Sequence, residues 1–368
     1  MDRCSTRLYG PNRFRLGLFG MNCNGGLTMT KAPVRWVESW ENNVTAARLA
    51  DAAGLEFLLP IGRWHGYRGE TDTQGSAYET LVWAAGLLGA TEGISVCGTL
   101  HVAFMNPVFA AKQMATADHI GKGRFALNIV SGWNTGEFEM FGIGFNDHAA
   151  RYAYTEEWVQ VVEKIWTLDE PFDHQGRFFN LQGVLGKPKP YGGSRPLLIS
   201  AGASDEGRAF AARNVDCLFT SIREREAMRA EISAVRATEG CRPDLGVYCS
   251  GHTVCRPTRK EAQDYYHYIV YETGDWPAAE HAAAIRMKNR EGRYTDWTAL
   301  KERMISGAGT YPFVGSYDDV VEAFATLSDC GVTGIALGLV NYIEEFHHLR
   351  DGLLPRLERI GLRQPFKT

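Results

Sequence analysis

Gly123-Arg-Phe-Ala-Leu-Asn-Ile-Val-Ser-Gly-Trp133 is the stretch that decides the fold. Its centre, Arg124 to Val130, is a short apolar run interrupted by Asn128, as expected of a strand buried on both faces. A helix signal precedes it. Asn106 is a capping residue, Pro107 takes the first helical position, and Gly121-Lys-Gly123 closes the segment. A long helix is expected after it, from Ala149 to about Asp169. A strand entered from one helix and left by another belongs to a parallel sheet with helical crossovers.

The same alternation continues in both directions. Upstream, Phe14–Gly20, Phe57–Ile61 and Ile94–Leu100 read as strands, with helices over Trp36–Gly54 and Ala77–Thr91. Downstream, the strands are Leu197–Ala201, Cys217–Ile222, Leu245–Val254 and Val332–Val340. One helix starts at Asp205, a charged one ends at Gly240, and a last one covers Tyr342–Ile360. Eight strands favour a closed (β/α)8 TIM barrel over an open doubly wound sheet. The barrel is expected over residues 14–360 as one domain, since no linker or low-complexity segment divides it. Two insertions stand out. Residues 172–193 read as a hairpin with a proline-rich approach. Residues 259–316 are tyrosine-rich and lid-like, and a helix there would set Arg286, Arg290 and Arg293 on one face, either solvated or clamping an anion.

Composition removes several function classes. The chain of 368 residues is 45% apolar with a net charge of -4, enough for a large core and without a basic stripe for nucleic acid. No apolar run is long enough to span a membrane, and Met1 to Arg15 does not resemble a signal peptide. Eight cysteines show no C-x-x-C spacing, so packed, reduced thiols in a cytoplasmic protein are expected rather than a metal site. Aromatic residues in outer helices, Trp83 and Trp158, suggest helix packing between copies, as a homodimer or homotetramer.

Barrel enzymes work at the C-terminal ends of their strands. Those ends here carry Asn22, Gly62-Arg63-Trp64-His65, Thr99-Leu100-His101, Asn128, Ser131-Gly132-Trp133, Gly202-Ala203-Ser204, Thr220, His252 and Asn341. The set is polar and aromatic, with no metal-spaced cluster and no nucleophile or P-loop motif. Such a mouth suits an organic cofactor. Gly202-Ala203-Ser204 ends a strand and opens a helix, so it is either an anion site, aided by Arg151 and Tyr152, or an ordinary cap. Asn128 and Thr99 are equally open: a buried asparagine can serve only backbone groups, and threonine is a common strand former. Glu137 can be a solvated loop acid. His101 and His252 show no carboxylate partner in the sequence.

Several ordered motifs resemble one known family. They are Gly123–Trp133, Glu137-Phe-Glu-Met-Phe-Gly142, Arg151-Tyr-Ala-Tyr-Thr-Glu-Glu-Trp-Val-Gln-Val-Val-Glu-Lys-Ile-Trp166, Ser200-Ala-Gly-Ala-Ser-Asp-Glu-Gly207 and Val314-Gly-Ser-Tyr-Asp-Asp-Val320. Together they are similar to the luciferase-like flavin-dependent monooxygenases, most of all to the pyrimidine and dimethylsulfone monooxygenase branch. The resemblance implies reduced FMN as cosubstrate, a separate NAD(P)H:flavin reductase that delivers it, and O2 as oxidant. It implies an oxygen pocket at Thr99 and Asn128, with Glu137 or His101 as acid or base. Flavin contacts are implied at Gly62, Arg63, Asn128, Glu137, Arg151, Tyr152, Ala203 and Ser204. Arg63 stands where the pyrimidine monooxygenase carries lysine, and Trp64 and His65 also depart from its pattern, which argues against a uracil-type substrate. The substrate class stays open among heterocycles, amides, sulfones and haloaromatics. The rival readings are a deazaflavin-dependent oxidoreductase of the same superfamily and a non-catalytic flavin-binding subunit.

Overall fold

The computed structural model describes residues 6–145, 147–202, 204–288 and 296–366. The first half alternates without exception: β1 (Arg15–Phe19), α1 (Trp40–Ala52), β2 (Phe57–Leu59), α2 (Thr80–Ala90), β3 (Ser95–His101), α3 (Pro107–Ile120) and β4 (Phe125–Val130). Next come α4 (Thr135–Met140), α5 (His148–Thr167) and an antiparallel pair, β5 (Phe172–Gln175) and β6 (Asn180–Val184). Then follow β7 (Leu197–Ser200), α6 (Asp205–Asn214), β8 (Cys217–Thr220), α7 (Arg225–Arg236) and β9 (Gly246–Arg256). The remainder is α8 (Arg259–His267), α9 (Trp276–Lys288), α10 (Trp297–Gly307), β10 (Tyr311–Ser316), α11 (Tyr317–Asp329), β11 (Gly334–Gly338) and α12 (Leu354–Arg359).

Eight strands close into a ring in the order β1-β2-β3-β4-β7-β8-β9-β11, and every pairing is parallel. This is the (β/α)8 barrel. Side chains alternate across each strand, so two cores form. Phe57, Leu59, Cys97, Ala126, Ile199, Phe219, Tyr248 and Ala336 fill the inside. Leu58, Val96, Leu127, Ile129 and Leu218 pack outward against the helices.

Helix starts follow capping chemistry. Asn106 accepts a hydrogen bond from the Val108 N–H at 2.9 Å ahead of Pro107, and Asp147 does the same for Ala150 at 2.8 Å. At the barrel floor, Arg363 is buried against Glu56, with its Nη1 donating to Oε2 at 2.6 Å and its Nη2 to Gly54 O at 2.9 Å. Glu56 also accepts from the Leu16 N–H at 2.7 Å, so the chain's end is fastened to its first two strands.

The molecule differs from the sequence reading in five places. Trp36 lies outside α1; its ring is buried and its indole N–H donates to Met21 O at 2.8 Å. The expected helix over Tyr342–Ile360 is mostly a turn and a π-helical segment, His348–Leu353, before α12. The loop after β4 contains a helix, α4. The 259–316 region holds three α-helices, a π-helical turn at Tyr268–Glu272, and β10, which pairs with the outer half of β9. Finally, Trp83 and Trp158 are buried within their own chain, bonded to Asn43 Oδ1 at 2.8 Å and Met105 O at 2.9 Å. They therefore offer nothing to a second copy. The described cysteines are free, and all but Cys241 are buried. Among the described residues no helix is long and apolar enough to cross a membrane, and no cluster could hold a metal.

Candidate active site

The inward face of β3 continues from Cys97 to Thr99 and His101, and that of β4 from Ala126 to Asn128. Thr99 and Asn128 are register partners across the two strands. Their polar groups form a directed chain. Asn128 Nδ2 donates to Thr99 Oγ1 at 3.2 Å, and Thr99 Oγ1 donates to Pro60 O at 2.6 Å. Asn128 Oδ1 is buried with no hydrogen-bond partner. A buried amide oxygen left unpaired costs free energy and marks a place where a donor belongs.

Beside this pair lies a buried acid. Glu137 sits in the first turn of α4, 1% exposed, and its Oε1 accepts from the Trp64 N–H at 3.1 Å. Arg63 Nη1 is 3.6 Å from the same oxygen. The guanidinium is further held by Gln74 Oε1 at 3.1 Å and Tyr67 OH at 2.9 Å, and packs over Trp133. Arg63 is thus engaged on several sides. His101 Nε2 is 3.9 Å from Glu137 Oε2, too far for a hydrogen bond. Burial, and secondarily Arg63, push the imidazole pKa down to about 3, so His101 is neutral at ordinary pH. Gly62 is packed close: a Cβ there would lie 3.1 Å from His101 Cε1 and 3.3 Å from Thr99 Cγ2.

Next to β4 in the ring, β7 runs into α6. Ser204 caps that helix, its Oγ accepting from the Gly207 N–H at 3.1 Å. Gly202 has no room for a side chain, because a Cβ would come within 2.5 Å of Gly207 C. The Tyr152 phenol bonds to Ser204 and Ser131, and burial raises its pKa. Arg151 lies over the Phe145 ring at 4.2 Å, and burial lowers its pKa. Close backbone approach, a helix N-terminus, a hydroxyl, a phenol and a cation together form an anion cradle. Ala203 lies outside the described residues, as do Arg290 and Arg293. Arg286 turns inward, its Nη2 donating to Ala308 O at 2.6 Å.

The structure therefore brings Thr99, Asn128, His101, Glu137, Gly62 and Arg63 together in one group, and Arg151, Tyr152 and Ser204 in a second group beside it, at the ends of β4 and β7. His252 is not part of either group. It is fully buried under α10, where a Cβ on Gly307 would meet its Cβ at 2.5 Å, and neither ring nitrogen has a partner. Sequence reasoning missed the carboxylate near His101, because Glu137 belongs to another strand's loop. It also missed Gln74, Tyr67 and the rings of Phe104 and Phe141. Only proximity in space reveals them; no spacing in the chain does.

A parallel eight-stranded barrel with an anion cradle after a late strand and a polar, aromatic mouth has the features of TIM-barrel enzymes that work with a phosphorylated organic cofactor. Within that class the chain belongs to the luciferase-like monooxygenase family, whose sequence model matches residues 14–334. It is 33% identical over 356 residues to pyrimidine monooxygenase RutA of Escherichia coli O127:H6 (strain E2348/69 / EPEC), covering 94% of this chain and 96% of that protein. It is 28% identical over 346 residues to the FMNH(2)-dependent dimethylsulfone monooxygenase of Pseudomonas fluorescens (strain Pf0-1), covering 92% and 93%. Among solved structures, riboflavin lyase (RcaE), determined with modified FMN and riboflavin, superimposes with a TM-score of 0.86 at 20% identity, over 97% of this chain and 94% of that one.

Proposed function

We propose that this chain is an FMNH2-dependent monooxygenase that uses O2 to oxygenate a small organic substrate. The observation that carries the reading is the pairing of an anion cradle at Ser204 with an orphaned, inward-facing acceptor, Asn128 Oδ1, at the ends of neighbouring strands of one barrel mouth. A reduced isoalloxazine carries ring N–H donors of the kind that acceptor lacks, and its phosphate suits the cradle, so the residues fit FMN. Arg151, Tyr152, Ala203 and Ser204 would hold the phosphate end. Gly62, Arg63, Asn128 and Glu137 would border the ring. Bound reduced FMN supplies the two electrons that activate O2.

The chain's own part is positioning and proton handling. Thr99 fixes the Asn128 amide by accepting its N–H. Arg63 and the Trp64 N–H fix Glu137. Neutral His101 offers one N–H and one lone pair, so it can pass a proton at the mouth. Burial of this group excludes water from the reacting atoms. We place a separate NAD(P)H:flavin reductase upstream, and the protein in the cytoplasm, in keeping with its reduced thiols. We also propose one folded unit, with 172–193 and 259–316 as insertions and the latter as lid.

A homo-oligomer, dimer or tetramer, completes the reading. Its support is exposed apolar surface on the outer helices, including Val82 at 67% and Phe109 at 58%. A monomer by light scattering at micromolar concentration would remove it. For the activity, oxygen uptake is measured with chemically reduced FMN, with mass spectrometry of substrate incubated under labelled O2. Incorporated label supports the monooxygenase. Hydride transfer with a deazaflavin and no label would replace it, and flavin binding without turnover would indicate an accessory subunit.

A further inference from the structure

We infer that the mouth takes a neutral substrate with an aromatic ring, stacked on a wall of rings rising from the ends of β2, β3 and β4. This rests on the reading of the mouth as the reaction site. The wall begins at His101, whose ring stacks on Phe104 with centroids 5.3 Å apart. Phe104 lies nearly parallel to Phe141, at 4.2 Å and 8°. Trp64 meets Phe141 edge-on at 4.9 Å. These rings come from three separate segments: the end of β2, the turn after β3 and the end of α4.

Part of this cluster is ordinary core. Phe138, edge-on to Phe104 at 4.9 Å, is buried and anchors the loop. Trp64 and Phe141 are different: they are 43% and 37% exposed, side by side, with the Trp64 N–H bonded to the buried Glu137. Exposed, adjoining aromatic faces of this kind mark a binding surface rather than a packing surplus.

Charge narrows the occupant. Arg63 and Glu137, directly below the wall, face each other at 3.6 Å, and Gln74 and Tyr67 take further donors of the guanidinium. His101 contributes a neutral ring. A sulfonate or carboxylate would find no uncommitted cation among these groups and would meet the Glu137 carboxylate below. A neutral planar ring would find the exposed parts of Trp64 and Phe141, against which it can pack in the tilted or offset geometries that aromatic pairs prefer. A small aliphatic sulfone has no π-face to answer them.

The test is equilibrium binding of benzamide, benzenesulfonate and dimethyl sulfone to the full chain by saturation-transfer NMR, with and without oxidised FMN. FMN affinity is titrated separately. Benzamide should bind at least about tenfold tighter than the other two, and Trp64→Ala and Phe141→Ala should each weaken it about fivefold with the melting temperature retained. Phe141→Leu, which keeps bulk but not the ring, should weaken it as well. Equal or tighter binding of benzenesulfonate overturns the inference. So does benzamide affinity unmoved by all three substitutions, or a change in oligomeric state in place of ligand affinity. A benzamide preference that persists without FMN affinity supports the aromatic wall while sinking the flavin reading. FMN affinity without that preference does the reverse.

Discussion

Thr99 has one hydroxyl proton, and Pro60 O takes it. The two side chains are therefore unequal: Thr99 Oγ1 is bonded on both sides, whereas Asn128 Oδ1 is unpaired, so on the proposed reading Asn128 is the one that meets the reacting atoms. Asn128→Ala should retain oxidised FMN but lose product per O2 consumed by at least about tenfold, the effect of about 1.4 kcal/mol in a transition state. Thr99→Ser should behave as the native enzyme, and Thr99→Val should fall between. Hydrogen peroxide and product measured together decide this; normal coupling in Asn128→Ala would end the assignment. Ser204 caps α6, and on the proposed reading it also contacts the cofactor phosphate; substitution can separate the two. Ser204→Ala removes a helix cap, at a cost of about 1 kcal/mol in stability, whereas Ser204→Gly costs a few tenths. Both should weaken FMN binding by roughly 1–2 kcal/mol. Native affinity in Ser204→Gly would show that Ser204 only caps α6. Asn128 was legible in the sequence because a lone amide inside an apolar strand demands an explanation. The Arg63–Glu137 contact was not, because nothing in the chain tells one loop where another loop's side chain will end up.

At the level of elements, β9 holds the clearest pH-sensitive group. Burial, with a smaller effect of Arg256, pushes the His252 pKa down to about 3, against an ordinary value of 6.5. The unfolded chain then binds a proton between these values that the folded chain refuses. Stability contributed by neutral His252 is present above pH 6.5 and is lost as pH falls towards 3, at up to about 1.4 kcal/mol per pH unit. His101 acts in the same direction over the same window. Denaturant unfolding at pH 7 and pH 5 should show the loss, and His252→Phe should reduce its slope, leaving the share of His101. An unchanged slope in that variant would mean that His252 titrates normally. The strands and the caps of α3 and α6 were readable, since each rests on local chemistry at Asn106 and Ser204. The short α4 was not, being a single small helix whose buried members, Glu137 and Phe138, are held by tertiary contacts. Nor was β10: Tyr311–Ser316 carries a proline and a glycine, and becomes a strand by pairing with β9.

For the molecule as a whole, the floor of the barrel depends on Arg363 and Glu56. Arg363→Met would leave a buried carboxylate without its cation and should cost about 3–5 kcal/mol in unfolding free energy. The double variant with Glu56→Gln should recover much of that loss; failure to recover would mean that packing, not charge, holds the terminus. The eight-stranded ring was legible from its repeating pattern. What that pattern could not convey is the height of each strand. β8 pairs with β9 as far as Cys249, whereas β10 pairs with β9 out to Arg256. The four residues from Thr253 to Arg256 extend past the last β11 partner, roughly 13 Å at strand rise. In the ring order, β9 stands opposite β3. The rim is thus uneven: on the side opposite β3, β9 and β10 carry a strand ladder four residues beyond β11, whereas Trp64 and Phe141 sit on a loop and at the end of the short α4. One wall is thereby stiffened by backbone hydrogen bonds, and the other rests on side-chain contacts such as those of Glu137.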